Sequence, residues 1–316
     1  MAAEGPNDRE PTAVVFAPVP LLTVTIESTN GGTELHLHAG GQGFWQARML
    51  SELGIDVTLC GAFGGEIGKV VRHLVADAGI TVHPVATSSS NGAYVHDRRS
   101  GERVEVAEMV PEPMSRHDVD ELYGAMLVVG LEAPVCVLGG PHHPDVLPAD
   151  VYRRLARDFL ANGKVVVIDL AGEPLEAALA GGVSVLKISD EELCDEGLAS
   201  DNEVATIIDV MGRLHEQGAE QVVVSRATEP VLALGDGQVY EVVTPEVEAV
   251  DPTGGGDSLT AGIAAGLARG LDFADALRLG AAAGALNVTR RGLASGNRAE
   301  IERFAEQVDL REVKTP

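Results

Sequence analysis

Aromatic residues make up only 3% of the 316-residue sequence, lysines number four and cysteines three. So few aromatics remove the stacking platforms on which a single-strand nucleic-acid binder lays its bases. Cations are scarce as well. With 23 basic against 48 acidic residues the formal net charge is -25, which excludes a surface built to grip nucleic acid or an anionic membrane. The cysteines, Cys60, Cys136 and Cys194, are widely separated, form no Cys-x-x-Cys pair and each stand in or beside an apolar run. They read as small buried hydrophobes in a reducing compartment. No apolar run is long enough to span a bilayer. The first twelve residues, MAAEGPNDREPT, place acids, Pro and Gly where a signal peptide needs a basic start and an apolar stretch. These absences predict a cytoplasmic protein with neither a nucleic-acid nor a membrane partner.

What is present is core-forming material: 45% of residues are hydrophobic and 22% charged, enough to fold without a metal or disulfide staple. After a disordered leader over residues 1–12, LLTVTI and ELHLHA flank the turn STNGG and predict a β-hairpin. Further short strands are expected at GAYVHD and ERVEVAE. From His117 onward, continuous Val/Ile runs such as APVCVLGG, KVVVIDLAG, VSVLKIS and EQVVVSR alternate with amphipathic helical stretches. That rhythm predicts a three-layer α/β domain over residues 13–316, with a mostly parallel sheet, right-handed crossovers and a small β excursion over about 21–39 and 91–108. The last element is read as a helix beginning near Arg298.

The stretch richest in chemistry is DPTGGGDSLTAG, Asp251 to Gly262, between a strand signal and a long helix. Gly254, Gly255 and Gly256 at a helix start leave backbone N–H groups free and admit an anion closely. Asp257, at the positive end of that helix, is placed to accept a proton from an attacking hydroxyl. The same pattern also serves a plain glycine-rich turn whose Asp caps a helix. No G-x-G-x-x-G occurs, and neither Gly-Lys pair, at Lys69 or Lys164, is followed by Ser or Thr as a P-loop requires.

Four segments, in order, resemble the ribokinase-like carbohydrate kinases of the PfkB family, especially the branch of 1-phosphofructokinase and tagatose-6-phosphate kinase. They are GGQGFWQAR from Gly40 with the following LSELG and LCGAFGGEIG, DLAGEPL from Asp169 with LKISDEEL from Leu186, VVVSR from Val222, and DPTGGGD. The resemblance implies a three-layer αβα fold with a β-sheet lid, and an ATP- and magnesium-dependent kinase acting on a hydroxyl of a small sugar-like substrate. Asp257 would be the base and the N–H groups of Gly254 to Gly256 an anion hole. Gly40, Gly41, Gln42, Trp45 and Ser90 would line the substrate with Asp257. Lys187, the only lysine ending an apolar strand, would reach the nucleotide phosphates, with Ser225, Ala227, Gly256 and Asn287 also on the nucleotide side. Glu192 would act on magnesium indirectly, through water. For Glu192 a solvated helix-start acid, and for Asn287 a helix residue facing solvent, stand beside these roles. By analogy, a homodimer would form through the lid.

The departures from the family pattern fall almost entirely at the substrate end; on the nucleotide side Ser189 stands where the family has Asn, and Ala227 to Pro230 where it has a Gly-rich turn. Gln42 stands where the branch has Lys, Trp45 where it has Asn, Ser90 where an Arg is expected, and Leu21 or Leu22 where an Asp is expected. On this reading the substrate end is poor in cations, and a phosphosugar is less favoured than a less anionic substrate. His36 and His38 share a strand face, and with Phe44 and Trp45 make either an aromatic, weakly polar pocket or, respectively, lid surface and core. A second expectation from the same erosion is a catalytically weak or inactive member that binds a nucleotide or metabolite as a sensor.

Overall fold

Valine, isoleucine and leucine runs with period-two burial build the centre of the molecule. In a computed structural model that describes residues 11–29, 31–290, 292 and 294–313, the strands are β1 (Thr12–Phe16), β2 (Leu21–Thr29), β3 (Gly32–Gly40), β4 (Asp56–Phe63), β5 (Thr81–Ala86), β6 (Ala93–Asp97), β7 (Val104–Met109), β8 (Val135–Gly139), β9 (Val165–Asp169), β10 (Val183–Ser189), β11 (Ala219–Arg226), β12 (Glu229–Gly235), β13 (Gln238–Val243) and β14 (Asp309–Glu312). The helices are α1 (Gln42–Glu52), α2 (Gly65–Asp77), α3 (Arg116–Gly130), α4 (Asp150–Ala161), α5 (Gly172–Gly181), α6 (Asp190–Asp195), α7 (Val204–Glu216), α8 (Gly255–Ala268), α9 (Phe273–Val288) and α10 (Arg298–Ala305).

The larger sheet runs β14-β13-β12-β11-β10-β9-β8-β1-β4-β5. It is parallel from β11 to β5, with β12, β13 and β14 added antiparallel at one edge. Alternate strand residues face opposite layers. Val15, Val137, Val167, Val185 and Val223 join one core with α1, α2, α8, α9 and α10. Phe16, Leu138, Ile168, Leu186 and Val224 join the other with α3 to α7. This is the expected ribokinase-like three-layer α/β fold. Cys60 and Cys136 are wholly buried in the second core, where burial pushes the Cys60 thiol up to about 12.

A separate four-stranded sheet, β3-β2-β6-β7, is formed by the hairpin and the two later short strands. Its faces differ. Leu35 and Leu37 alternate with His36 and His38 along β3, and Leu22, Val24 and Ile26 with Thr23 and Thr25 along β2.

Two expectations need correction. Residues 1–10 of the expected leader lie outside the described residues, but Thr12, assigned to it, opens β1 because its backbone is in register with Asp56. The terminal helix stops at Ala305, and the chain returns as β14 to pair with β13. A short helix, α6, follows β10 where Glu192 was read as a helix-start acid, and Ser189 and Glu192 form its reciprocal capping box.

Candidate active site

The parallel strands end on one side of the larger sheet, where open α/β sheets hold their ligands. Asp169 ends β9, and Lys187 on β10 lies beside it in register. Both stand at positions equivalent to Val167 and Val185, which face α1 and α8. Their pairing is therefore a product of strand periodicity: Lys187 Nζ is 3.2 Å from Asp169 Oδ1, with Lys187 only 5% and Asp169 2% exposed. Asp169 Oδ2 accepts from the Thr260 hydroxyl at 2.9 Å and from Gln46 Nε2 at 3.1 Å. Gln46 and Asp169 were not singled out in the sequence. The available signals were a carboxylate closing an apolar strand and an amide inside the buried stripe of a helix.

Gly254 precedes α8 in the left-handed region, φ 79, a conformation that costs glycine nothing. It turns the chain so that α8 starts beside Lys187: a Cβ on Gly256 would come within 2.8 Å of Lys187 Nζ. The Gly255 N–H is spent on the Pro252 carbonyl at 3.3 Å, so Gly256 and Asp257 carry the first-turn donors without an intrahelical acceptor. The loop before them is anchored from α9. Val250 and Asp251 N–H both donate to the Val288 carbonyl, and Asn287 Nδ2 donates to the Thr253 carbonyl at 2.9 Å. Asn287 is 1% exposed, so the alternative of a solvent-facing residue is corrected: its amide is drawn inward by the loop carbonyl.

The electrostatics follow from three acids around one base. Burial, then the neighbouring Asp169 charge, push the Asp257 carboxyl up to about 7, against the pull of Lys187. Burial alone would discharge Lys187, but Asp169, Glu192 and Asp257 more than reverse this and hold it charged. Glu192 Oε2 accepts from the Ser189 N–H and hydroxyl at 2.8 and 2.7 Å. This cap holds Glu192 at the start of α6, within the field of the cluster. Gln42 Oε1 accepts from the Gly140 N–H at 2.9 Å, and Gly41, φ 94, starts α1. Ser225 is level with Ser189 at the end of β11, and Ala227, φ 46, stands in the exposed turn beyond it.

A cleft of about 700 Å³ opens between the polar face of the small sheet and the loop at Val250 to Thr253. It is lined by Thr23, Thr25, His36, His38 and Trp45, and by Arg48, Arg98, Arg99 and Arg103. Ser90 is not among its lining residues; its N–H donates to Glu112 at 3.0 Å. The expectation of a cation-poor substrate end is corrected here, because four arginines from α1 and the β6–β7 turn converge where no linear motif shows them together. Arg98 Nη2 donates to Asp251 at 3.0 Å and Arg99 pairs with Asp97. Arg103 donates to the imidazole of His96 at 2.8 Å, and Arg48 has no ion pair among the described residues. His36 and His38 stack with ring centres 6.3 Å apart on the cleft side, while Phe44 is core.

Among the described residues no group of three or more His, Cys, Asp and Glu side chains is arranged to hold a metal directly. The carboxylate excess around Lys187 fits an ion that keeps much of its water and binds through phosphates, as magnesium does. No described helix is long and apolar enough to cross a membrane.

Residues 20–300 match the family described as pfkB family carbohydrate kinase, a span that takes in both glycine-rich segments. A tagatose-6-phosphate kinase of Staphylococcus epidermidis is 25% identical over 297 residues, covering 93% of this chain and 95% of that one. Phosphofructokinase-2 of Escherichia coli in complex with potassium shares the fold with a TM-score of 0.83 at 22% identity, covering 93% of this chain and 98% of that structure. Arabidopsis thaliana ribokinase complexed with ribose and ATP does so with a TM-score of 0.72 at 21% identity, covering 94% and 99%. With the glycine-led α8, the acid that follows it and the second small sheet all inside a match of this extent, the chain belongs to the pfkB family of carbohydrate kinases.

Proposed function

We propose that the chain transfers the γ-phosphoryl group of ATP to a hydroxyl of a small sugar or sugar-like substrate in the cytoplasm, with Asp257 as general base. The observation that carries this reading is Asp257 itself, in the first turn of α8 directly after the glycines, with a pKa raised to about 7. A carboxylate so poised takes a proton near neutral pH. The substrate oxygen forms its bond to the γ-phosphorus as the bond to the β-phosphate oxygen breaks. The proton passes to Asp257, and ADP leaves. Of the Gly254 to Gly256 N–H groups expected as the anion hole, that of Gly255 is taken by Pro252; those of Gly256 and Asp257, with the Lys187 ammonium beside Gly256, stabilise the charge on the transferring group. Magnesium, when bound, neutralises phosphate charge, with Glu192 acting on its water shell. Ser225, Ala227 and Asn287 belong to the nucleotide side, Asn287 by holding the Thr253 carbonyl.

At the substrate end, Gly40, Gly41, Gln42 and Trp45 form the floor where α1 begins. The arginines of the cleft favour a substrate with an anionic group, a phosphosugar included, over the less anionic one expected from the signature positions. Leu35, Leu37, Val104, Val106 and Met109 are 44–62% exposed on the outer strands of the small sheet, which supports pairing of two copies through this lid. Light scattering is expected to give a dimer and, for Leu37→Glu, a monomer.

The function is tested by ATP turnover with sugars, polyols, nucleosides and phosphosugars, comparing Asp257→Asn. Equal turnover by the mutant would remove the base. If no substrate is phosphorylated while ATP raises Tm, a nucleotide sensor becomes the better description.

A further inference from the structure

His96, 7% exposed, is the only buried polar side chain among the described residues of the small sheet. It stands in one row with Thr25 of β2 and Glu105 of β7. Thr25 lines the cleft, so the imidazole belongs to the cleft face. What meets it there is decided by register along β7. Ala93, Tyr94 and Val95 pair with Met109, Glu108 and Ala107, but His96 pairs with Glu105, which makes Val106 the extra residue of a bulge. In unbroken register Glu105 would share the outer face with Ala107. The bulge turns Glu105, and Arg103 two residues before it, to the cleft face instead, and Arg103 lines the cleft.

Arg103 Nη2 donates to His96 Nε2 at 2.8 Å. A guanidinium neither accepts a hydrogen bond nor gives up its proton, so Nε2 carries the lone pair and the ring proton sits on Nδ1. That Nδ1 is buried with no partner among the described residues, a cost an apolar residue would not carry. Burial and then the Arg103 charge hold the imidazole below its usual range, against Glu105 and with Arg98 adding to the effect, so it is neutral at neutral pH. The Tyr94 ring stacks on it, centres 5.7 Å apart. The contrast with the neighbouring arginines is in the acceptor. Asp251 and Asp97 hold Arg98 and Arg99 and cancel their charge, whereas a neutral imidazole orients a guanidinium and leaves its charge for a ligand.

We propose that His96 is a positioning residue for substrate selection, its Nδ1-protonated imidazole aiming the Arg103 guanidinium into the cleft to receive an oxyanion group of the substrate, a phosphate above all. The proposal deepens the function proposed above and rests on its placing of the substrate end in this cleft.

The ligand-free protein with nitrogen-labelled His and Arg provides the test, by NMR near neutral pH with inorganic phosphate as the probe and signals assigned through the backbone. His96 is expected to show a protonated Nδ1 and a bare Nε2, and the Arg103 guanidinium signals to move as phosphate is added. His96→Leu, which has no acceptor, is expected to weaken the phosphate affinity read at Arg103 about tenfold, the loss of one hydrogen bond to a charged group. His96→Gln, whose amide oxygen reaches the place of Nε2, is expected to restore most of it. A proton on Nε2 in the parent, Arg103 signals that ignore phosphate, an unchanged affinity in His96→Leu, or a His96→Gln as weak as His96→Leu overturns the proposal. The tautomer and the Arg103 response are read in the parent, so a variant that fails to fold leaves the proposal testable. None of these readings uses turnover: a parent that phosphorylates nothing in the panel ends the kinase reading, while the bond from Arg103 to His96 is judged by the NMR alone.

Discussion

Asp257 is pushed to about 7 by burial and by the charge of Asp169, and this has consequences for both activity and stability. The ordinary carboxyl value is 3.8, so between about pH 4 and 7 the folded protein holds a proton that the unfolded chain has released. Stability contributed by this group therefore falls as pH rises through that window and is flat above it. Asp257→Asn, which carries no charge to desolvate, is expected to melt a few degrees higher than the parent at pH 8 and to lose that advantage by pH 4, in calorimetric scans. The same variant is expected to lose roughly 10²–10⁴-fold in kcat, the contribution of a positioned base. In the parent, kcat/KM should fall on the acid side with a midpoint near 7. Gly256 is constrained by a neighbour instead. With a Cβ only 2.8 Å from Lys187 Nζ, Gly256→Ala forces the ammonium aside, and transfer is expected to drop about 10²-fold, as when one donor of an anion hole is removed.

Among the elements, α9 acts on the site without lining it. Its Asn287 and Val288 hold the loop that leads into α8, so the cradle takes its shape from a helix end and not only from its own glycines. Asn287→Leu leaves the part-buried Thr253 carbonyl without this donor. It is expected to cost about 1–3 kcal/mol in urea unfolding and to raise KM for ATP. This dependence shows where the sequence was readable. DPTGGGD announces α8 and its acid, and the Val/Ile runs announce the parallel strands, because both signals are local. Asp169, Gln46 and the cleft arginines were missed because their partners lie far away: Gln46 and Asp169 are 123 positions apart. Likewise β14 has four residues with no apolar alternation, and only its pairing with β13 makes it a strand. α6 is one capped turn and a half, too short for a periodic signal.

For the whole molecule, a net charge of -25 sets a field that repels anions, yet four of its nineteen arginines line one cleft. Two of these, Arg98 and Arg99, are matched by aspartates, which leaves Arg48 and Arg103 to act on whatever enters. Arg48→Ala and Arg103→Ala are each expected to raise KM for a phosphorylated substrate about tenfold or more, the loss of a charged hydrogen bond, with little change for its unphosphorylated counterpart. A steady-state comparison of the two substrates checks this, and equal effects on both would leave the arginines without a role in selection.

Arg98 belongs to the small sheet's turn and Asp251 to the loop that begins the glycine run, and they meet at 3.0 Å. The Thr253 N–H and Arg98 together hold Asp251 below the usual carboxylate range in spite of its burial. The bond joins the roof of one binding region to the floor of the other. A ligand that draws the roof inward thereby acts on the floor, and thermodynamic reciprocity requires that the second ligand favour the first by an equal factor. On the function proposed above, ligands bound on either side of this bond are expected to favour one another, and Arg98→Ala to reduce that mutual effect in Kd values measured for each ligand with and without the other.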